Sequence, residues 1–375
     1  MKLLIVIDTL GSGGAQRLKV QLAKGLVRKK HNVEFFIYDA NHNFFESELV
    51  EAGIKIHIAE RNSEGFSFNV IKELRKIIKY NKYDYVISSL HSPGIYSAFA
   101  LFWLKKTKLI VCEESSSNAK ISVLKRYLFY FATLVANFVV ANSFHESELI
   151  KKLPGRSKKT KVIWNGLDLN SIKYRSNINH LEKGISKLLV VGRVAYPKNG
   201  INLLKALSLF ESRNGWLPEI NWIGRRDIDK RSSKDQNSVK MNKEMDKYLA
   251  NNKYLSQKWN WLGTVDDIQE HYDSSDALLS VSIYEGMPMV ICEAMLSGCF
   301  VIASNVCDHP KVIGRNERGL LCDPLSPISI CIAIEDLNKM DIKKKISSIE
   351  RARNFAKLNF NRDKMIDQFE SLMSK

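Results

Sequence analysis

The chain has no C-x-x-C pair and no His/Cys cluster at zinc spacing, which leaves a zinc module or a dithiol redox centre without ligands. Its six cysteines, Cys112, Cys292, Cys299, Cys307, Cys322 and Cys331, lie mostly in apolar runs and read as reduced core residues. No apolar run can span a bilayer: the longest, Tyr127 to Ala141, has 15 residues and contains Asn137. Met1 to Ile7 lacks the long apolar core of a signal peptide and reads as a strand that breaks at Asp8. There is no repeat at a solenoid period and no nucleic-acid-binding motif. A cytosolic protein is expected, with surface association left open.

Acidic residues are also scarce, 40 against 57 Lys and Arg, for a net charge of +17. That balance favours an anionic partner, whether nucleic acid, an anionic membrane surface or a phosphorylated substrate, without choosing among them. What is present is the material of a folded protein: 375 residues, 45% hydrophobic and 26% charged, enough for two cores.

Short β-rich runs alternate with amphipathic stretches. In the first half, strands are expected at Lys2–Ile7, Asn32–Tyr38, Lys55–Ala59, Tyr85–Ser88, Lys108–Cys112, Phe138–Ala141 and Lys161–Ile163. The second half starts over, with Ser186–Val191, Ile220–Ile223, Trp259–Leu262, Ala277–Val281, Phe300–Ala303 and Gly319–Leu321. Helices are expected between them, including one after Pro93, and Asp227 to Lys258 reads as a polar helical stretch. Strand–helix alternation implies α/β architecture with parallel sheets covered on both faces. Three domain segments follow: 1–168, 185–355 and a C-terminal helix in 356–375 that packs back toward the first.

Parallel sheets bind ligands at the carboxyl ends of their strands, so the loops after strands carry the candidates. Gly11-Ser12-Gly13-Gly14-Ala15-Gln16 opens a helix and offers main-chain N–H groups to a phosphate or a sugar hydroxyl. It fails the dinucleotide fingerprint at Gln16, although Asp39 could serve as a ribose acid; a plain tight turn is the alternative. Arg193 and Lys198 suit a diphosphate leaving group, or are a solvated pair in a very basic chain. His91 follows a strand before a Pro-Gly turn, a place that points to a site, with a structural histidine as the alternative. Glu113 and Glu114 follow the next strand, where an acceptor contact competes with a plain surface pair. Ser282 to Gly298 is the most telling stretch. There a buried strand turns through Gly286 and Pro288 into an apolar helix, with Glu285 in the turn and Glu293 inside the helix. Carboxylates on so apolar a segment need partners, and together they suggest a hydroxyl-rich ligand carrying phosphate; one solvated glutamate and one helix-capping glutamate are the alternative.

Basic residues crowd the first half: Lys72, Arg75, Lys76, Lys79 and Lys82, then Lys105, Lys106 and Lys108, then Lys120, Lys125 and Arg126. Lys151 to Lys161 adds six more in eleven positions. Aromatic residues are interleaved with them, as suits an anionic lipid surface; core aromatics beside a solvated lysine face are the alternative.

Glu285-Gly286-Met287-Pro288 followed by Glu293 resembles the E-x7-E signature of the retaining family 4 glycosyltransferases, of bacterial polysaccharide and lipid-linked glycan type. Gly13-Gly14-Ala15-Gln16-Arg17, Asn165-Gly166-Leu167-Asp168, Gly192-Arg193 with Lys198, and Trp261-Leu262-Gly263 are similar to further family motifs in the same order. Gln16 stands where Glu is more usual, and Asn199 where Gly is. The resemblance implies a GT-B fold, two facing Rossmann-like domains with an interdomain cleft. It implies transfer of a hexose or N-acetylhexosamine from a nucleotide diphosphate sugar, UDP favoured over GDP, without a metal or other cofactor and without nucleic acid. Glu293 would hold the ribose. Glu285 with Gly286, Met287 and Pro288 would hold the sugar, and Arg193 and Lys198 the diphosphate. Gly13 and Gly14 would admit donor and acceptor. His91 would face the acceptor side near the reacting carbon, and the acceptor would be a glycan or polyprenyl-diphosphate-linked sugar at an anionic membrane. A non-catalytic sugar-nucleotide or polyanion binder and an NAD-dependent dehydrogenase are the competing readings.

Overall fold

A computed structural model describes residues 1–61, 65–114, 122–175, 182, 184–226, 228, 235–287 and 289–374. Among them are thirteen strands. The first seven are β1 (Lys2–Val6), β2 (Asn32–Ile37), β3 (Lys55–Ile58), β4 (Tyr85–Ser89), β5 (Lys108–Glu113), β6 (Phe138–Ala141) and β7 (Thr160–Val162). They form one parallel sheet in the order β3-β2-β1-β4-β5-β6-β7. The central β1 shows why the pattern folds this way. Leu3 and Ile5 face one core, Leu4 and Val6 the other, and all four are fully buried, as a parallel strand covered on both faces requires.

The other six strands are β8 (Lys187–Val191), β9 (Glu219–Ile223), β10 (Trp259–Gly263), β11 (Ala277–Ser280), β12 (Phe300–Ser304) and β13 (Leu320–Cys322). Their sheet is also parallel, ordered β10-β9-β8-β11-β12-β13, and shares one core with the helices Gly200–Asn214 and Pro327–Lys339. The polar stretch read as one helical segment is two, Gln236–Ala250 and Lys253–Lys258, separated by Asn251 and Asn252. The described chain divides into two compact units. Met1–Gly166 with Phe360–Lys375 contains the first sheet, and Leu167–Asn359 the second. Five of the six cysteines are buried.

Within the first unit the C-terminal helix Arg362–Met373 packs on the helix Gly14–Arg28. A Cβ on Gly25 would stand 2.1 Å from Ile366 Cδ1, so the contact depends on that glycine. Gly166 plays the same part where the chain returns: a Cβ there would meet the Arg362 Cα at 2.4 Å. Tyr85 donates to the Met373 carbonyl at 2.7 Å, and Glu370 accepts from Lys29 at 2.6 Å. No helix among the described residues is long and apolar enough to cross a membrane.

Part of the basic crowd turns out to be internal. Arg75 donates to the carbonyls of Ala100 and Phe99, at the end of the helix His91–Leu101. Arg156 and Lys159 do the same for the helix Val123–Val135, through Tyr130, Leu134 and Ala136. Cations at helix carboxyl ends satisfy orphan carbonyls and meet the negative end of the dipole. These three are therefore removed from the solvent-facing charge, whereas Lys72, Lys76, Lys79, Lys105, Lys106 and Lys108 remain exposed; Lys120 lies outside the described residues.

Candidate active site

Each sheet reverses its winding once, and an open parallel sheet binds ligands at that point, beyond the carboxyl ends of its strands. In the second sheet the reversal lies between β8 and β11. The loop after β8 carries Arg193 and Lys198, and the loop after β11 carries Glu285. The structure brings the last two together: Lys198 Nζ forms a salt bridge with Glu285 Oε1, the side chains being 22% and 20% exposed. Ser282 donates to the same carboxylate oxygen at 2.8 Å. Burial pushes the Glu285 carboxyl up. The charge and hydrogen bond of Lys198 outweigh that, with smaller help from His309 and Ser282, and hold it below its ordinary value of 4.5.

Two residues make this pair possible. Gly192 sits at φ +133°, and a Cβ there would stand 2.9 Å from Lys198 Cε, blocking the path of the lysine stem. Asn199 adopts a left-handed conformation at φ 62°, tolerable for Asn where most residues are strained. Its buried side chain donates to the Val281 carbonyl at 3.0 Å and to Pro324 at 2.7 Å. Asn in place of the family's glycine thus ties together the segments that follow β8, β11 and β13. Ile283 adds a main-chain bond to Pro197 at 2.8 Å. Arg193 is exposed in the same loop.

Glu293 lies in the helix Met289–Ser297, whose Ile291, Cys292, Ala294 and Met295 are buried around it. Its Oε2 accepts a 3.0 Å hydrogen bond from the fully buried Tyr272. Burial, and then the charge of Glu293, raises the Tyr272 pKa well above 10.0, so the phenol remains a donor and the carboxylate is aimed by it. Gly286 is partly exposed at the turn and Met287 is buried. Pro288 lies outside the described residues. His309, which the sequence did not single out, is fully buried at the start of the helix His309–Ile313. Its Nδ1 meets the Ser304 carbonyl at 2.9 Å, while Nε2 is buried with no hydrogen-bond partner. Burial lowers its pKa against the pull of Glu285. A single histidine after an Asn-Val-Cys-Asp run carries no spacing signal that would have flagged it.

In the first sheet the reversal lies between β1 and β4. The loop after β1 contains Gly13, the N-cap of the helix Gly14–Arg28, with Gly14 as its exposed first residue. Gln16 turns back to donate to Asp8 Oδ1 at 3.3 Å, and a Cβ on Gly13 would stand 2.3 Å from its Oε1. The loop after β4 carries His91. The expected helix after Pro93 begins earlier, at His91 itself, because Leu90 adopts φ 74°, ψ 170°. That region is nearly glycine-only and costs about 1–3 kcal/mol, and such strain gathers at functional sites. His91 Nε2 lies 3.0 Å from Glu113 Oε2, and its ring stands edge-on to Phe129.

Glu113 and Glu114 part company here. Glu113 orients His91. Glu114 forms a buried salt bridge with Lys19, and its other oxygen accepts from Ser89 at 2.6 Å. Both oxygens of Glu114 are thus engaged inside the fold, where removing one partner would cost about 3–5 kcal/mol. No group of three or more His, Cys, Asp or Glu residues with metal-holding geometry occurs among the described residues.

The family model for Glycosyltransferase Family 4 matches residues 12–171, and that for Glycosyl transferases group 1 matches 175–355. A Campylobacter jejuni alpha-1,4-N-acetyl-D-galactosaminyltransferase, named for a diNAcBac-PP-undecaprenol acceptor, is 25% identical over 95% of this chain and 94% of its own. An Escherichia coli UDP-Gal:alpha-D-GlcNAc-diphosphoundecaprenol alpha-1,3-galactosyltransferase is 25% identical over 80% and 77%. A Staphylococcus aureus capsular polysaccharide biosynthesis glycosyltransferase is 24% identical over 83% of each chain. Among solved structures, Anabaena HepE in complex with UDP and glucose matches all of this chain and 99% of its own, with a TM-score of 0.81 at 20% identity. Two family models that together run from residue 12 to 355, and a fold of two parallel αβ sheets, establish the chain as a GT-B protein belonging to the family 4 glycosyltransferases.

Proposed function

We propose that this glycosyltransferase moves a hexose or N-acetylhexosamine, with retention, from a UDP-sugar to a polyprenyl-diphosphate-linked or surface-polysaccharide acceptor. The observation that carries the reading is the Lys198–Glu285 pair at the reversal point of the second sheet. A cation for a leaving diphosphate sits there against a carboxylate that can bind sugar hydroxyls. Arg193, in the same loop, adds a guanidinium fork suited to phosphate oxygens. Glu293 takes the ribose hydroxyls and the Gly286–Met287 main chain supports the sugar.

In this mechanism the acceptor hydroxyl attacks the anomeric carbon on the face that the diphosphate leaves. Its proton passes to the departing phosphate oxygen, so no side-chain nucleophile is required. Lys198 and Arg193 stabilise the charge that develops on that diphosphate. His91, held by Glu113, faces the acceptor side. The lipid-linked acceptors and UDP in the names of relatives and of the Anabaena complex support this choice of substrates.

The test is turnover against a panel of UDP- and GDP-sugars with a lipid-linked acceptor extract, with and without EDTA, and the anomeric configuration of the product read by NMR. A UDP-sugar is expected to be used with retention, undiminished by EDTA. An inverted product would refute retention, and tight NAD binding without UDP or GDP binding would refute the whole reading.

With such an acceptor the protein would work at the cytoplasmic face of a membrane. Exposed Phe102, Trp103, Val123 and Tyr127 beside exposed Lys105, Lys106 and Arg126 support that location. Sedimentation with phosphatidylglycerol vesicles is expected at low salt and release at high salt, since screening shortens with ionic strength. Equal sedimentation with neutral vesicles at both salts would refute it.

A further inference from the structure

Lysine is almost never fully buried without a partner, yet Lys19 is 3% exposed in the helix Gly14–Arg28, among the buried Leu18, Val20, Leu22 and Ala23. Its ammonium is engaged inside the first unit. Nζ pairs with Glu114 Oε1 and lies 5.3 Å from the centre of the Phe369 ring, in the C-terminal helix. Replacing a buried ion pair by apolar residues is often neutral or stabilising, so stability alone gives no reason for a charge at this place in the core. The geometry around Glu114 does.

Glu114 follows β5, and its second oxygen holds the end of β4: the fully buried Ser89 donates its hydroxyl to Oε2 at 2.6 Å. Ser89 precedes Leu90, the residue whose φ of 74° lets the next helix begin at His91. The strained residue is pinned on each side. Its own N–H donates to the Cys112 carbonyl at 3.3 Å, its carbonyl accepts the Gly94 N–H at 3.1 Å, and the hydroxyl before it is fixed by Glu114. On the same strand end, Glu113 meets His91 Nε2 at 3.0 Å. The end of β5 therefore grips the turn after β4 twice, once before the strained residue and once after it. Without a cation on Oε1, the buried Glu114 carboxylate would turn toward water or take up a proton, and either weakens its hold on Ser89.

We propose that Lys19 is a positioning residue for His91: acting through Glu114 and Ser89, it holds the strained Leu90 turn and so fixes the imidazole at the reversal point of the first sheet. The proposal rests on the reading of His91 as the acceptor-side residue and adds to it the device that sets its place.

The experiment is a double-mutant cycle on the full chain with Ser89→Ala and Lys19→Met. It is read as kcat with a UDP-sugar and a lipid-linked acceptor, and as UDP affinity by calorimetry. A third reading, by NMR of histidine-labelled protein, is the contact between the ring protons of His91 and Phe129, whose centroids lie 4.5 Å apart. Each single variant is expected to lower kcat by about 10–100-fold, the scale of a roughly 1 Å misplacement in a reacting geometry. UDP affinity should stay unchanged while the ring contact weakens. The double variant should lose no more than the worse single variant, because both substitutions act along one path. Ser89→Ala leaves the ion pair in place, so it carries the test by itself if thermal melts show that Lys19→Met fails to fold. Variants that melt lower but keep wild-type kcat and the ring contact would overturn the proposal and leave the pair to stability alone. Losses of kcat that multiply in the double variant would overturn it too. A wild-type protein that turns over no lipid-linked acceptor would instead refute the acceptor reading, and the ring contact would still decide the role of Lys19.

Discussion

Replacing Lys198 with alanine is expected to lower kcat/KM by roughly 10²–10³-fold, the cost of removing one preorganised group that stabilises charge in a transition state. The loss has two physical sources. In the proposed mechanism the leaving diphosphate loses a cation, and Glu285 loses the partner that keeps it ionised despite burial. The second source has a pH signature. In the wild type the Glu285 pKa is lowered, so the ionised pair persists above 4.5 and fails only as pH falls through the lowered value. Without Lys198, burial is opposed only by His309, Ser282 and weaker influences, and the acid limb of the pH–rate profile should move upward. Lys198→Arg keeps the charge and should leave that limb nearer the wild type, though its longer fork must pass Gly192. Steady-state turnover of a UDP-sugar across the acid range checks both expectations. Wild-type turnover by Lys198→Ala would remove the pair from the chemistry, and an unmoved acid limb would remove Glu285 from the titration.

The fold was legible because parallel strands buried on both faces are written as short runs of apolar residues, as in Leu3 to Val6. The order of loops after strands was legible for the same reason, and it put Arg193, Lys198 and Glu285 beyond strand ends of the second half. What stayed hidden depends on contacts between distant residues. Lys19 and Glu114 are 95 positions apart and look like surface charges, yet they meet in the core of the first unit. Asn199 looks like a loss of glycine, but its side chain replaces conformational freedom with bonds to Val281 and Pro324. The early start of the helix at His91 follows from Leu90 in a strained conformation that no propensity would assign. Arg75, Arg156 and Lys159 counted toward a basic face until the carbonyls they cap were placed.

Glu293→Ala is expected to weaken UDP binding by about 1.5–3 kcal/mol, the usual worth of hydrogen bonds to a charged group, or roughly 10–150-fold in Kd. The helix around it is otherwise apolar, so a carboxylate there is costly unless something uses it. Tyr272 donates one 3.0 Å hydrogen bond to Oε2. A phenol that stays protonated can aim the carboxylate but cannot neutralise it. That division of labour makes the ribose role separable from a structural one. If Glu293 binds ribose hydroxyls, the alanine variant should lose affinity for UDP yet bind 2′,3′-dideoxyuridine diphosphate about as well as the wild type does. If Glu293 only steadies the helix, both ligands should weaken together. Tyr272→Phe should lie between, because the carboxylate remains but is no longer held, and its loss should likewise vanish with the dideoxy ligand. Calorimetry on the three proteins with the two nucleotides decides the matter, and equal losses for both ligands would return Glu293 to the scaffold.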